Sequence, residues 1–228
     1  AAADAQAGAA PPPVGVAVTT GDFAIHKYEV TVADFAKCVE RRACLGAPSD
    51  DTGCTWTTRE DSPDVPVTCV RFEQADAYCK SQGWRLPTEV EWEIAARGKK
   101  AGDFPSGVRS VSCATMVIGG DGGGCDIPGP LAVGSRRQTD VSWVGAFDLG
   151  GNVREWTSSA YGPAPGLEPT EPDDCGSGRT SRVNRGGSWS MRVDSVATSH
   201  TRMKTCGGGE GGTGDAARDL GLRCAVSL

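Results

Sequence analysis

Asp148 and Glu155 lie seven residues apart in the stretch FDLGGNVREW, on either side of the turn Gly150–Gly151. A hard cation such as Ca²⁺ takes six to eight oxygens from carboxylates, backbone carbonyls and water. A Gly-Gly turn can aim carbonyls inward while two carboxylates close the shell, so the stretch reads as a calcium loop. The competing reading makes Asp148 a turn cap and Glu155 the ion-pair partner of Arg154 or another arginine. A second region with chemical potential is RVNRGGSWSMRVDSVATSH, Arg182 to His200. Around it Ser190, Arg192, Asp194, Ser199, His200 and Arg202 offer donors and acceptors in the mixture that recognition faces use. Trp189, beside the Gly-Gly pair, reads as packed core rather than as an exposed platform.

Ten cysteines form the third chemical resource: Cys38, Cys44, Cys54, Cys69, Cys79, Cys113, Cys125, Cys175, Cys206 and Cys224. There is no Cys-x-x-Cys, and the only histidines are His26 and His200, so a zinc framework is poorly supported. An even count in a loop-rich chain favours disulfides and therefore an exported protein. The sequence holds no Gly-x-Ser-x-Gly, no phosphate-cradling glycine loop and no paired nucleophile and base. Pairs such as Glu89/Glu91 and Asp173/Asp174 read as helix-start charges and a solvated loop.

The elements that must position these groups are legible mainly in the first half. FAIHKYEV, Phe23 to Val30, reads as a strand. Thr31 is placed to cap a helix whose Val32, Phe35 and Val39 share a face. Residues 43–66 form a loop too long to stay ordered without its cysteines. An extended piece at 66–70 precedes a second helix carrying Phe72, Ala75, Tyr78 and Cys79 on one face, with Gly83 as its stop. Thr88 and Glu91 form a capping box for a third helix that runs to Arg97 and ends at Gly98. Beyond Gly98, short strands and glycine-rich turns dominate. The expected class is α+β, with one domain over 21–228. Residues 1–20 form an Ala/Pro-rich tail or linker, of the kind left after removal of a signal peptide.

Five stretches in order carry a resemblance: KYEVTVADF, PVTCVRFEQADAYCKSQGWRLPTEVEWEIAARG, FDLGGNVREWT, RVNRGGSW and LGLRCA. Together they resemble the formylglycine-generating (sulfatase-modifying factor) enzymes, whose fold is a variant of the C-type lectin fold. The resemblance implies little regular secondary structure, stabilised by disulfides and calcium. It implies calcium donors at the Asp148 side chain, the carbonyls of Gly151 and Val153, and Glu155. A second family calcium site would draw on the region around Asp121 and Asp126, but a polar glycine loop is the preferred reading there. The resemblance also implies a Cys79–Cys224 bridge. Another family bridge would join the positions of Ala96 and Thr201, and both cysteines are absent here. Cys38, Cys44, Cys54 and Cys69 are expected to pair among themselves in one of three ways. Cys113 with Cys125, and Cys175 with Cys206, are pairings by proximity in the chain.

In the enzymes resembled, two cysteines after the Gly-Gly-Ser-aromatic motif bind Cu(I) as thiolates. Here those positions are Met191 and Val196, and Arg154 replaces a family aromatic. Copper is therefore not expected, and no catalytic residue is assigned. The expected function is a non-catalytic, exported binding or surface-assembly module, extracellular or periplasmic and surface-tethered. Its candidate ligand-binding residues are Ser190, Arg192, Asp194, His200 and Arg202. The alternatives are an active copper oxidase of protein cysteines, or a purely structural subunit. A net charge of −6 argues against nucleic acid, and no apolar run approaches a membrane span. An aromatic content of 6% argues against a sugar-stacking groove, leaving a protein, a cell-surface ligand or another copy of the chain as partner.

Overall fold

The computed structural model describes residues 17–98, 103–105, 107, 111–119, 125–162, 181–192, 202–206 and 217–228. The chain enters through strand β1 (Ala17–Thr19) and turns into β2 (Phe23–His26), which pairs antiparallel with both β1 and the last strand, β7 (Ala225–Ser227). Ala17–Thr19 thus belong to a sheet rather than to the expected tail, because their backbone groups pair with β2. The strand expected over Phe23–Val30 stops early. Past His26 the regular ladder gives way: the carbonyls of residues 26 and 27 accept from the side chain of Arg223, and that of Lys27 also from Phe147 N–H at 2.9 Å.

Three helices follow where the capping signals lie. Helix α1 (Val32–Glu40) starts at Thr31, whose hydroxyl accepts from the Asp34 N–H at 3.1 Å. Val32, Phe35 and Cys38 are its buried positions, while Val39 is only half-buried. Val39 still packs against the core cluster that holds Val32, Phe35 and Cys38. Helix α2 (Phe72–Ser81) buries Gln74, Ala75, Tyr78 and Cys79. Helix α3 (Glu89–Arg97) begins with the capping box: Thr88 Oγ1 accepts from Glu91 N–H, and Glu91 Oε2 accepts from Thr88 N–H at 2.8 Å. Gly98 ends it at φ 61°, where a Cβ would stand 2.8 Å from the Trp143 ring. Only glycine combines that backbone with that approach.

The second half supplies a four-stranded sheet in the order β5-β4-β3-β6. It comprises β3 (Arg154–Ala160), β4 (Ser181–Arg185), β5 (Arg202–Cys206) and β6 (Leu220–Gly221), with β3 and β6 parallel and the other pairs antiparallel. The main core fills the space between α1, α2 and this sheet with Phe35, Val67, Tyr78, Leu86, Trp156 and Leu222. Trp92, Ala96, Ala146 and Leu149 form a second cluster under α3.

The bridges are Cys38–Cys44, Cys54–Cys69, Cys79–Cys224 and Cys113–Cys125. The first two clamp the long early loop, which also carries a short 3₁₀ turn at Thr55–Thr58. Cys79–Cys224 closes 145 residues and joins α2 to the segment before β7. A loop of that length restricts the unfolded chain by about 5 kcal/mol in the loop-entropy treatment. Cys206 is also disulfide-bonded, while Cys175 lies outside the described residues. Among the described residues, no helix is long and apolar enough to cross a membrane.

Candidate functional site

The turn before β3 holds its carboxylates deep in the protein. Asp148 and Asn152 both adopt left-handed backbone, at φ 61° and 66°, a conformation Asp and Asn tolerate better than most residues. Gly151 lies so close to Val117 that a Cβ would meet its carbonyl at 2.7 Å. This close packing fixes the turn. One Asp148 oxygen, Oδ2, accepts from the Gly134 N–H. Its other oxygen, Oδ1, is buried and has no hydrogen-bond partner among the described residues. Asp140 accepts from Gly150 N–H at 3.0 Å. Glu29 accepts from the Asn152 side chain at 2.6 Å and from Val153 N–H at 3.1 Å.

Glu155 forms an ion pair, and its arginine is Arg223. The guanidinium donates Nε to Glu155 Oε2 and Nη2 to Oε1, both at 2.7 Å. Trp92 Nε1 adds a third bond to Oε2 at 2.7 Å. Both Glu155 and Arg223 are fully buried. Arg154, the neighbouring candidate, goes elsewhere.

Four carboxylates, from Glu29, Asp140, Asp148 and Glu155, therefore share one buried region with Arg223. Burial, with Asp148 as neighbour, pushes Asp140 up to about 8. Burial also raises Asp148 to about 6, against the Gly134 N–H and Arg223. Glu29 is driven well above the usual carboxylate range by burial and by Asp148 and Glu155. Such a region favours an added cation. Among the described residues, however, no three or more His, Cys, Asp or Glu side chains converge in a metal-holding group, so a cation here would draw on few side chains and on backbone carbonyls. A carboxylate offers about four lone-pair positions. Glu155 commits three, leaving one on Oε1, and Asp148 Oδ1 is wholly uncommitted.

The face after Gly186–Gly187 is organised by a second buried ion pair. Arg154 donates Nε and Nη2 to Asp219 at 3.1 and 2.5 Å, and Nη1 to Asn184 Oδ1 at 2.9 Å. Ser188 and Ser190 both donate their hydroxyls to Asp219 Oδ2, at 2.8 and 2.9 Å. Burial opposes charge on Asp219, but Arg154 and the two hydroxyls outweigh it and hold the carboxyl below its usual range. Ser190 is thus half-buried and tied to this network, while Arg192 is exposed at the segment's end. Trp189 is 3% exposed and packs with Val117 and Val153, a core position. Asp194 and His200 lie outside the described residues, and Arg202 is described only as backbone in β5.

Met191 stands where the enzymes resembled carry their first copper cysteine. Its side chain packs against Met116 and Ile118. Its backbone is pinned from both sides, the carbonyl accepting from Gly119 at 2.7 Å and the N–H donating to Ser188 at 3.0 Å. Val196 lies outside the described residues. Sequence reasoning missed Asp219 and Arg223 as organisers. The one available signal was an arginine, in LGLRCA, between residues of a buried apolar pattern.

Residues 3–228 match the family described as the sulfatase-modifying factor enzyme 1-like domain. The chain belongs to this family. Among curated relatives, the inactive C-alpha-formylglycine-generating enzyme 2 of Mus musculus is 37% identical over 178 residues, covering 72% of this chain and 50% of the relative. A hercynine oxygenase of Mycolicibacterium thermoresistibile is 38% identical, covering 58% of this chain and 31% of the relative. The formylglycine-generating enzyme of Streptomyces coelicolor is 31% identical, covering 79% of this chain and 56% of the relative. The chain thus spans about half or less of the length of these proteins. Among solved structures, PvdO from Pseudomonas aeruginosa aligns with a TM-score of 0.64 at 23% identity, covering 90% of this chain and 80% of that one. Treponema denticola variable protein 1 aligns at 0.64 and 20% identity, covering 90% and 84%. These likenesses establish the formylglycine-generating-enzyme-like, C-type-lectin-like fold; sulfatase-modifying factor domains carry both active and inactive names.

Proposed function

We propose that this chain is a non-catalytic, exported binding or surface-assembly module on the sulfatase-modifying factor scaffold, stabilised by calcium. The observation that carries the reading is Met191, an uncharged thioether packed into an apolar cluster where a copper thiolate would have to stand. Val196 at the second position has no donor atom at all. A cuprous oxidase site needs soft thiolate ligands. The name of the mouse relative, an inactive enzyme of the same family, is in keeping with this.

What remains is a rigid strand-and-turn platform with a polar rim. Asp219 holds Ser188, Ser190 and Arg154 in place beneath it, and Arg192 and the 39%-exposed Met203 reach solvent. A protein, a cell-surface ligand or another copy of the chain suits such a rim. The test is incubation with a cysteine-containing peptide, copper and oxygen, read by mass spectrometry. The peptide is expected to keep its thiol mass; an aldehyde product would defeat the reading.

In this reading calcium is held by Asp148 Oδ1, the remaining lone pair of Glu155 Oε1 and the carbonyls of Gly151 and Val153. It supplies charge compensation for the buried carboxylates. At a hundredfold excess over Kd, a ligand specific to the folded state adds about 2.7 kcal/mol. Calcium added to chelator-treated protein is therefore expected to raise Tm by roughly 5–10 °C. Asp148→Asn should abolish most of that rise. An unchanged Tm in the parent protein would remove calcium from the account.

A further inference from the structure

A cavity of about 490 Å³ opens between β2, the segment that follows it, the first turn of α1 and the end of α2. Its walls include His26, Tyr28, Tyr78 and Trp84, together with the acidic residues Glu29 and Asp34. None of its lining residues belongs to the Ser188–Arg192 face or to the Arg154–Asp219 network, and no lysine or arginine lines it. The size falls within the range of small-molecule sites. We propose that this cavity binds an organic cation, a quaternary or methylated ammonium group carried on a small molecule or a side chain. This is a site separate from the recognition face, and it stands whether or not that face has a partner.

Three features of the walls point to that chemistry. The first is the density of aromatic rings in a chain with few of them. Each ring has an aromatic neighbour: Tyr78 is stacked on Phe35 at 5.3 Å, Tyr28 on Phe147 at 5.2 Å, and Trp84 lies 4.7 Å from the wall residue His26. Aromatic faces attract ammonium groups within about 6 Å, and rings held by such neighbours need little rearrangement to receive one. Lys27, outside the lining, already rests its ammonium 5.7 Å from the Tyr28 centroid and 5.3 Å from that of Phe147.

The second feature is the sign of the charge. Asp34 accepts from the Thr31 hydroxyl through Oδ2 and faces Lys37 through Oδ1 at 3.2 Å. Both ends of that pair are about half exposed or more, so the pair is weak and Lys37 can give way to a cation seated against Asp34 in the cavity. Glu29 has both oxygens occupied by Asn152 and Val153, and burial raises its carboxyl well above the usual range, so it offers neither a free ligand atom nor a charge, and the attraction rests on Asp34. The third feature is His26, which burial and then Arg223 hold near a pKa of about 4. At neutral pH it is an uncharged ring and does not repel a cation. A neutral apolar ligand would gain nothing from Asp34.

The experiment is calorimetric and fluorescence titration of the full chain with choline and with its neutral isostere, 3,3-dimethylbutan-1-ol. The two share shape and differ in charge. Choline is expected to bind with Kd on the order of 1 mM or tighter and to perturb tryptophan emission, at least tenfold more tightly than the isostere. Trp84→Leu and Asp34→Asn are each expected to weaken choline at least fivefold. Asp34→Asn sits on an exposed helix start and keeps the cap hydrogen bond, so an unchanged Tm shows that the loss is local. Equal binding of both ligands, or binding of neither, would overturn the proposal. So would full affinity in both variants.

Discussion

Arg223 commits all five of its N–H groups inside the protein. Besides its two bonds to Glu155, it donates Nη1 to the carbonyls of His26 and Lys27 at 3.0 and 3.4 Å, and Nη2 to Phe147 at 2.8 Å. It ties the start of the fold, the metal-candidate turn and the end of the chain through one side chain. The planar fork makes this possible, and lysine cannot reproduce it. Arg223→Met removes the counter-charge of a fully buried carboxylate. It is expected to cost about 3–5 kcal/mol in urea unfolding, with Glu155→Gln in the same chain recovering part of that loss. His26 yields a pH signature of its own. Its folded pKa of about 4 lies below the ordinary 6.5 because burial disfavours the charged ring. Its contribution is therefore fully present above pH 6.5 and is lost as pH falls toward 4 and below. The full difference is about 3 kcal/mol. Asp140 works with the opposite sign, because its raised pKa of about 8 makes its contribution decline as pH rises from about 4 to 8. The His26 part is consequently read as the difference in urea stability between the parent and His26→Gln, which should narrow as pH drops from 7 to 4.

Local elements were legible wherever a short-range rule decides them. Thr88 and Glu91 announce the start of α3 because the capping box needs only residues three apart, and both of its bonds form. Thr88→Ala is expected to cost about 1 kcal/mol, measured as a shift of the denaturation midpoint. Strand β2 marks the limit of such rules. FAIHKYEV alternates through to Val30, yet the strand ends at His26, where Arg223, nearly 200 residues later, and Phe147 take up the next carbonyls. In α1 the face of Val32, Phe35 and Val39 does meet the core, joined by Cys38, whose bond to Cys44 periodicity does not register. At the candidate site, the turn at Gly150–Gly151 and the positions of Asp148 and Glu155 could be read from sequence. The arginine facing Glu155 could not, since only the parallel pairing of β3 with β6 brings the last segment beside it. The aromatic cavity was equally hidden, because His26, Tyr78 and Trp84 share no local pattern.

At the scale of the whole molecule, the fold joins its ends. The terminal sheet places β2 between β1 and β7, and Cys79–Cys224 fixes the same region covalently. Long-range closure of this kind allows a chain rich in turns to hold rigid loops with little regular secondary structure. On that rigid frame the family position of the first copper thiolate carries Met191, and the second carries Val196. In the proposed reading the scaffold persists without its redox donors, as happens when function resides in sites carried by a fold. The most direct measurement is a Cu(I) competition titration against a chromophoric chelator under reducing, anaerobic conditions, with Met191→Cys/Val196→Cys as the positive control. The parent chain is expected to leave the chelator fully loaded, and the two-cysteine variant to withdraw one equivalent of copper. Stoichiometric removal of Cu(I) by the parent chain would contradict the account.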